Sequence, residues 1–281
     1  EGLETTNENA DIVPALAESY DVSDDDLTYT FHLRDAKWSN GDPVTAADFE
    51  YAWKDAATDP TCDYAYIFGS DGACIKGADE AMGDPAKKDE IAVKAVDDKT
   101  LEVTLSRKTP YFVSLTTFPP FYPVNEKFAE EQGDQYGLSP DNLLYCGPFK
   151  LDEWVKGNSL KLSKNADYWG ADDVALEEIN INIVPEPSSA ALAYENGATD
   201  YARLNSSLVD KYKDNEAYKS VLGSFLWYLQ YNFENGDLQN ENLRKALTYA
   251  VDKENLTQNV LKDGSIPAEG FVTVKLANGP D

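Results

Sequence analysis

The side chains with the usual means of doing chemistry in this 281-residue chain are one histidine, three cysteines and a large excess of carboxylates. His32 alternates with apolar residues in "LTYTFHLR", which reads as an edge-strand histidine satisfied by its neighbours. A Ser-His-Asp or Cys-His nucleophile therefore has no second imidazole to draw on. Serine–lysine chemistry lacks its companion motifs around "SLKLSK", and no Gly-x-Ser-x-Gly elbow, Gly-x-Gly-x-x-Gly turn or Walker loop occurs. "DVSDDDLTYTFH" groups acids without the central glycine and terminal glutamate of a calcium loop, so it reads as a solvated turn. A paired-carboxylate glycoside hydrolase is the outside alternative. With 51 Asp+Glu against 24 Lys+Arg, however, most acids belong to a solvated surface. No catalytic residue, metal site or cofactor is expected.

Cys62, Cys74 and Cys146 fit neither a zinc spacing nor a Cys-x-x-Cys redox motif. Cys62 and Cys74 flank "DYAYIFGSDGA", which can close as a surface loop. The pair is either a disulfide, contributing roughly 3 kcal/mol through the unfolded chain's entropy, or two free buried thiols. The net charge of −27 repels phosphate backbones and anionic lipid, which sets nucleic acid aside as a partner. No apolar run approaches the ~20 residues of a membrane span.

The elements that must position any site follow from period and punctuation. Leu27, Tyr29, Phe31 and Leu33 alternate with polar residues as a half-buried strand, and "SNGDP" ends it because Pro43 cannot enter a ladder. Thr45 with Asp48 forms a capping pattern before Phe49, Ala52, Trp53 and Ala56, which share one helical face. "IAVKAVDDKTLEVTL" (91–105) reads as a hairpin around Asp97-Asp98-Lys99. Three prolines, Pro119, Pro120 and Pro123, separate a short apolar helix from a later one near Asn125–Gln132. Tyr111, Phe112, Phe118, Phe121 and Tyr122 are read as core. Strands follow near 149–155, 160–164 and 177–187. A helix capped by Ser188 or Ser189 and stopped by Gly197 leads to an extended "TDYARL", the order of an α/β crossover. "SFLWYLQYNF" (224–233) reads as a long aromatic strand. Residues 240–264 read as one helix, with Leu243, Ala246, Leu247, Ala250 and Val251 facing inward.

A soluble acidic α/β protein rich in Tyr and Trp and without a catalytic constellation suits a binding module. The stretch "IVPALAESYDVSDDDLTYTFHLRDAKWSNGDPVTAADFEYAW" resembles the signature region of extracellular solute-binding proteins of family 5, the oligopeptide-binding class of peptide ABC transporters. The resemblance continues in order through "VKAVDDKTLEVTL", "PYFVSL", "GPFKLDEWVKG", "LSKNADYWG", "AYENGATDYA" and "LRKALTYAVDKENL". It implies an α/β, two-lobed periplasmic-binding-protein-like (type II) fold with an inserted α/β domain. Lobe one would take residues 1–34 and 147–225, the insert 35–146, and lobe two would begin at 226 and run to 281. The chain then resembles a fragment, lacking the first strand, most of lobe two and the closing segment of lobe one.

The resemblance further implies an oligopeptide held extended between the lobes and delivered to membrane permease subunits by a monomeric, non-enzymatic component. That component would sit outside the cytoplasmic membrane, tethered by a lipidated cysteine upstream of residue 1. Same-fold alternatives are binding proteins for oligosaccharide, nickel or haem; a lone histidine weakens nickel. The "WYLQYN" crossover makes Tyr228 the leading contact residue, with Trp227 and Asn232 beside it. Tyr64 and Tyr66 lie where the inserted domain carries a cleft tyrosine. At "CGPF", Cys146 stands where relatives commonly carry an asparagine, which removes an amide from the backbone pairing at that crossover.

Overall fold

The computed structural model describes residues 1–223 and 225–271, and the chain divides into two compact units, Glu1–Ile183 and Val184–Asp281. In the first unit a four-stranded antiparallel sheet has the order β3 (Ala17–Val22), β4 (Thr28–Leu33), β6 (Thr100–Thr104), β5 (Val93–Asp97). It is preceded by a short pair, β1 (Glu4–Thr6) and β2 (Ile12–Pro14). In β4 the alternation is realised: Tyr29, Phe31 and Leu33 are buried, and Tyr29 and Phe31 stand opposite Val103 and Leu101 of β6. Because β4 lies inside the sheet, His32 is not an edge residue. It sits on the polar face, where its Nε2 is 2.9 Å from Asp21 Oδ2 of β3.

The "SNGDP" turn closes as the sequence requires. Gly41 takes φ +92°, a left-handed conformation that glycine adopts without a Cβ penalty, and Trp38 N donates to Asp42 O at 2.8 Å. Helix α1 (Ala46–Thr58) then starts with Asp48 Oδ2 accepting Thr45 N–H at 2.8 Å, which satisfies one end of the capping box. The same oxygen accepts Trp38 Nε1–H at 3.2 Å, tying the turn to the helix. The α1 stripe lies on a core of Phe68, Phe112 and Phe121. Each such side chain contributes about 1.5–3 kcal/mol by leaving water. Tyr111 departs from the core reading: it is half exposed and its hydroxyl donates to Gly72 O at 3.2 Å. The remaining helices of this unit are α2 (Ala78–Gly83), α3 (Phe112–Leu115) and α4 (Glu126–Gln132), the last capped by Asn125 Oδ1 on Phe128 N–H.

A second antiparallel sheet, β7 (Phe149–Val155), β8 (Ser159–Lys164) and β9 (Glu178–Asn182), completes the first unit. The second unit contains α5 (Pro187–Glu195), α6 (Ser206–Tyr212), α7 (Glu241–Ala250) and α8 (Lys253–Asn255), the last continued by wider turns over Leu256–Leu261. Five expectations are corrected here. Helix α5 begins at Pro187, whose missing N–H and fixed φ suit the first helical position, so Ser188 and Ser189 lie within it rather than capping it. "TDYARL" and residues 225–233 form no strand and lie in no sheet, since a ladder needs a partner strand and none stands beside them among the described residues; Ser224 lies outside those residues. The expected crossover is therefore not closed, and every strand pair described is antiparallel. The long helix over 240–264 is broken at Val251, because Asp252 accepts Asn255 N–H and caps a new helix. Its apolar positions Leu243, Leu247 and Val251 are exposed instead of inward, as no partner surface covers them among the described residues.

Candidate ligand-binding site

The residues expected to touch ligand fall in both units. Tyr64 and Tyr66 flank the start of a 3-10 turn, Ala65–Phe68, that buries Ile67 and Phe68 and thereby turns both phenols outward. Their rings lie 6.5 Å apart, and Tyr64 meets Phe118 edge-on at 5.2 Å, so the three form one accessible aromatic patch. Such faces suit apolar side chains or sugar rings, with the hydroxyls left to hydrogen-bond.

In the second unit Tyr228 is 58% exposed and packs edge-on against Phe271 at 5.1 Å, whereas Trp227 is 89% exposed. Asn232 Oδ1 accepts Glu234 N–H at 2.9 Å, which uses that oxygen in a local turn. These three residues share one segment, but it is not the strand that was expected to hold them.

Cys62 and Cys74 are free thiols in the structure, so the disulfide alternative is not the one realised. Cys74 takes φ +58°, and its sulfur is engaged elsewhere: Arg107 Nε donates to it at 3.0 Å, and it lies 3.5 Å from Gly72 O. Thiol titration of the unfolded, non-reduced protein should count three free groups; a count of one would mean that Cys62 and Cys74 are bridged.

Sequence reasoning missed the polar cluster that ties together the segments around Ser39, Tyr145 and Asn165. Ser39 N donates to Tyr145 O at 2.8 Å, and Tyr145 N donates back to Ser39 Oγ at 3.1 Å, so the outgoing and returning segments pair. Cys146 is buried in this cluster, and the carbonyls that follow it are met by fully buried Asn165. Its Nδ2 donates to Gly147 O at 2.9 Å and its backbone N to Pro148 O at 2.8 Å. The turn that follows carries Tyr168 and Trp169, whose OH and Nε1 donate to the two Glu1 carboxylate oxygens at 2.8 and 2.7 Å. Arg34 lies over the Trp169 ring, 3.6 Å from its centroid. Beneath them Glu4 is almost completely buried, and desolvation pushes its carboxyl up to about 7 despite the opposing pull of Arg34. "NADYWG" offered a signal only for a turn, since a buried asparagine and a turn asparagine look alike in sequence.

Among the described residues no group of His, Cys, Asp and Glu could hold a metal ion, and no helix is long and apolar enough to cross a membrane. The site geometry is thus that of aromatic surfaces and a hydrogen-bonded frame.

Comparison with known proteins places this arrangement. The chain is 38% identical over 279 residues to the oligopeptide-binding protein OppA of Bacillus subtilis (strain 168), covering 97% of this chain and 50% of the relative. It is 37% identical to the dipeptide-binding protein DppE of the same organism, with the same two coverages. Among solved structures, Listeria monocytogenes OppA bound to peptide matches with TM-score 0.83 and 39% identity, over 97% of this chain and 54% of that one. The chain spans about half the length of the relatives it matches. Its fold is that of the solved members, the class expected from the sequence. The model of the family "Bacterial extracellular solute-binding proteins, family 5 Middle" matches residues 11–281, and the chain belongs to the bacterial extracellular solute-binding proteins of family 5.

Proposed function

We propose that the protein carrying this chain captures oligopeptides outside the cytoplasmic membrane and hands them to the permease of an ABC importer. The observation that carries this reading is the match over 97% of the chain to the peptide-bound Listeria protein at 39% identity. Residues 1–34 and 147–225 form lobe one, 35–146 the inserted domain, and the segment from 226 begins lobe two. Tyr228, Trp227 and Asn232 contact the peptide from the interlobe segment, and Tyr64 and Tyr66 from the insert; the exposure of all four aromatics supports that assignment. The peptide lies extended, and its backbone pairs as an added strand, which gives affinity without sequence preference. Hydrated pockets take its side chains. Closure is a population shift set by contacts with both lobes, and no bond is made or broken. The protein acts as a monomer and is held at the membrane by a lipidated residue upstream of this chain.

The test is to denature the purified full-length protein and identify what it releases by liquid chromatography and mass spectrometry. Peptides of mixed sequence are expected. Release of oligosaccharide, haem or nickel instead would overturn the reading, as would turnover of a glycoside that is lost on a carboxylate substitution.

A further inference from the structure

The least explained polar group in the first unit is Glu4, at the start of β1. It is 2% exposed, and its Oε1 is buried without a hydrogen-bond partner. A carboxylate in that position calls for a cation. The cation at hand is Arg34, at the end of β4, yet among the described residues no ion pair joins the two. Arg34 is committed elsewhere: its Nε donates to Ala15 O and its guanidinium lies 3.6 Å from the Trp169 ring centroid. An interior carboxyl that leaves a neighbouring arginine unpaired is the arrangement of the protonated acid.

The other groups around this pair are each engaged elsewhere. β2 brings Pro14 opposite Glu4, and Ala15, Leu16 and Ala17, which bond to Gly2 and Leu3, carry no charge. Tyr122 packs on Gly2, and burial pushes its phenol up; Tyr168 is pushed well above the tyrosine range by burial and by Glu1. The Cys146 thiol is raised by burial and lies 3.8 Å from the Glu1 α-ammonium, and the Glu1 side-chain carboxylate is occupied by Tyr168 and Trp169. Lys99 faces away, on the Arg34 carbonyl and Asp35.

We propose that Glu4 and Arg34 form a proton-operated clasp on the turn that carries Tyr168 and Trp169. With the proton on Glu4, the guanidinium rests on Trp169 and holds the indole, whose Nε1–H holds the Glu1 carboxylate. When the proton leaves to solvent, the buried carboxylate draws the guanidinium off the indole into an ion pair, and the turn loosens at the seam pinned by Asn165. The Glu4 carboxyl stands at about 7 in the folded chain against 4.5 for the free side chain, so the exchange falls near neutral pH. The sign follows from the elevation: the stabilisation from protonated Glu4 is complete below about 4.5 and is lost as pH rises through about 7.

The experiment is an NMR titration of the purified protein from pH 5 to 9, following the Glu4 side-chain carboxyl carbon, Arg34 Nε–H and Trp169 Nε1–H. All three signals are expected to move together with one midpoint within about one unit of 7. In Glu4→Gln, a neutral isostere, the arginine and indole signals should stay at their low-pH positions throughout. Arginine and indole signals that do not follow the Glu4 titration, or that still move in Glu4→Gln, would overturn the clasp. If that variant fails to fold, the wild-type titration decides alone: a Glu4 carboxyl that stays ionised down to pH 5 sinks the proposal.

Discussion

Trp53→Ala should destabilise the Glu1–Ile183 unit by about 3–5 kcal/mol, the range for removing a large aromatic from a packed core. Trp53 is fully buried and meets Phe121 edge-on at 5.0 Å, with Phe49 and Phe68 each at 6.4 Å. The cavity would open between α1 and the Pro119–Phe121 turn, where prolines limit how far the backbone can collapse into it. A second loss adds to it, since Trp53 Nε1 donates to Phe121 O at 2.8 Å and alanine leaves that buried carbonyl unpaired. Trp53→Phe separates the two contributions: it restores most of the apolar volume without the donor and should cost about 1–2 kcal/mol. Guanidinium unfolding of the two variants beside wild type measures both. A cost for Trp53→Ala below that of Trp53→Phe would contradict the packing argument.

What was readable from sequence, and what was not, divides along a physical line. The unit from Thr28 to Thr58 was legible because each piece carries its own instruction: alternation in β4, Gly41 and Pro43 in the turn, Thr45 and Asp48 at the cap. The 91–105 hairpin was legible for the same reason. Residues 225–233 carry the composition of a strand, but composition cannot supply the neighbour that a ladder needs. The apolar stripe of α7 likewise records a surface to be covered, and Leu243, Leu247 and Val251 are exposed in a chain spanning half its relatives' length. His32 was placed at an edge because strand order is a property of the sheet and not of the strand. Cys74 was open to pairing with Cys62 because no local pattern announces that Arg107, far along the chain, takes its sulfur. Of the candidate contact residues, Tyr64 and Tyr66 came from the resemblance alone; their exposure follows from the burial of Ile67 and Phe68 just after them, which no sequence pattern announced. The frame of Ser39, Tyr145 and Asn165 was not legible either, because its donors come from residues distant in sequence.

Asn165 is the clearest case of such a donor, and its removal should have the second large effect. Asn165→Leu keeps the volume but leaves Gly147 O without its Nδ2 donor and Asp167 N–H without the Oδ1 acceptor at 3.2 Å, both at a fully buried side chain. Gly147 is half-buried and Asp167 exposed, so water can reach the groups left over and the loss of the two bonds costs about 1–2 kcal/mol together. Asn165→Asp is the sharper probe, because it preserves shape and the acceptor and changes only the donor. Facing Gly147 O, aspartate can replace the amide only while it holds a proton, and burial beside a carbonyl raises its folded-state pKa above the unfolded value. The variant should therefore approach wild-type stability in acid, below the unfolded aspartate range near 4, and fall progressively behind it as pH rises through the elevated value. Denaturation of the three proteins at pH 4 and pH 7.5 reads this directly. No deficit for Asn165→Asp at either pH value would show that the Nδ2 bond is dispensable. The segments would then be held by the Ser39–Tyr145 pairing and the backbone bond to Pro148 alone.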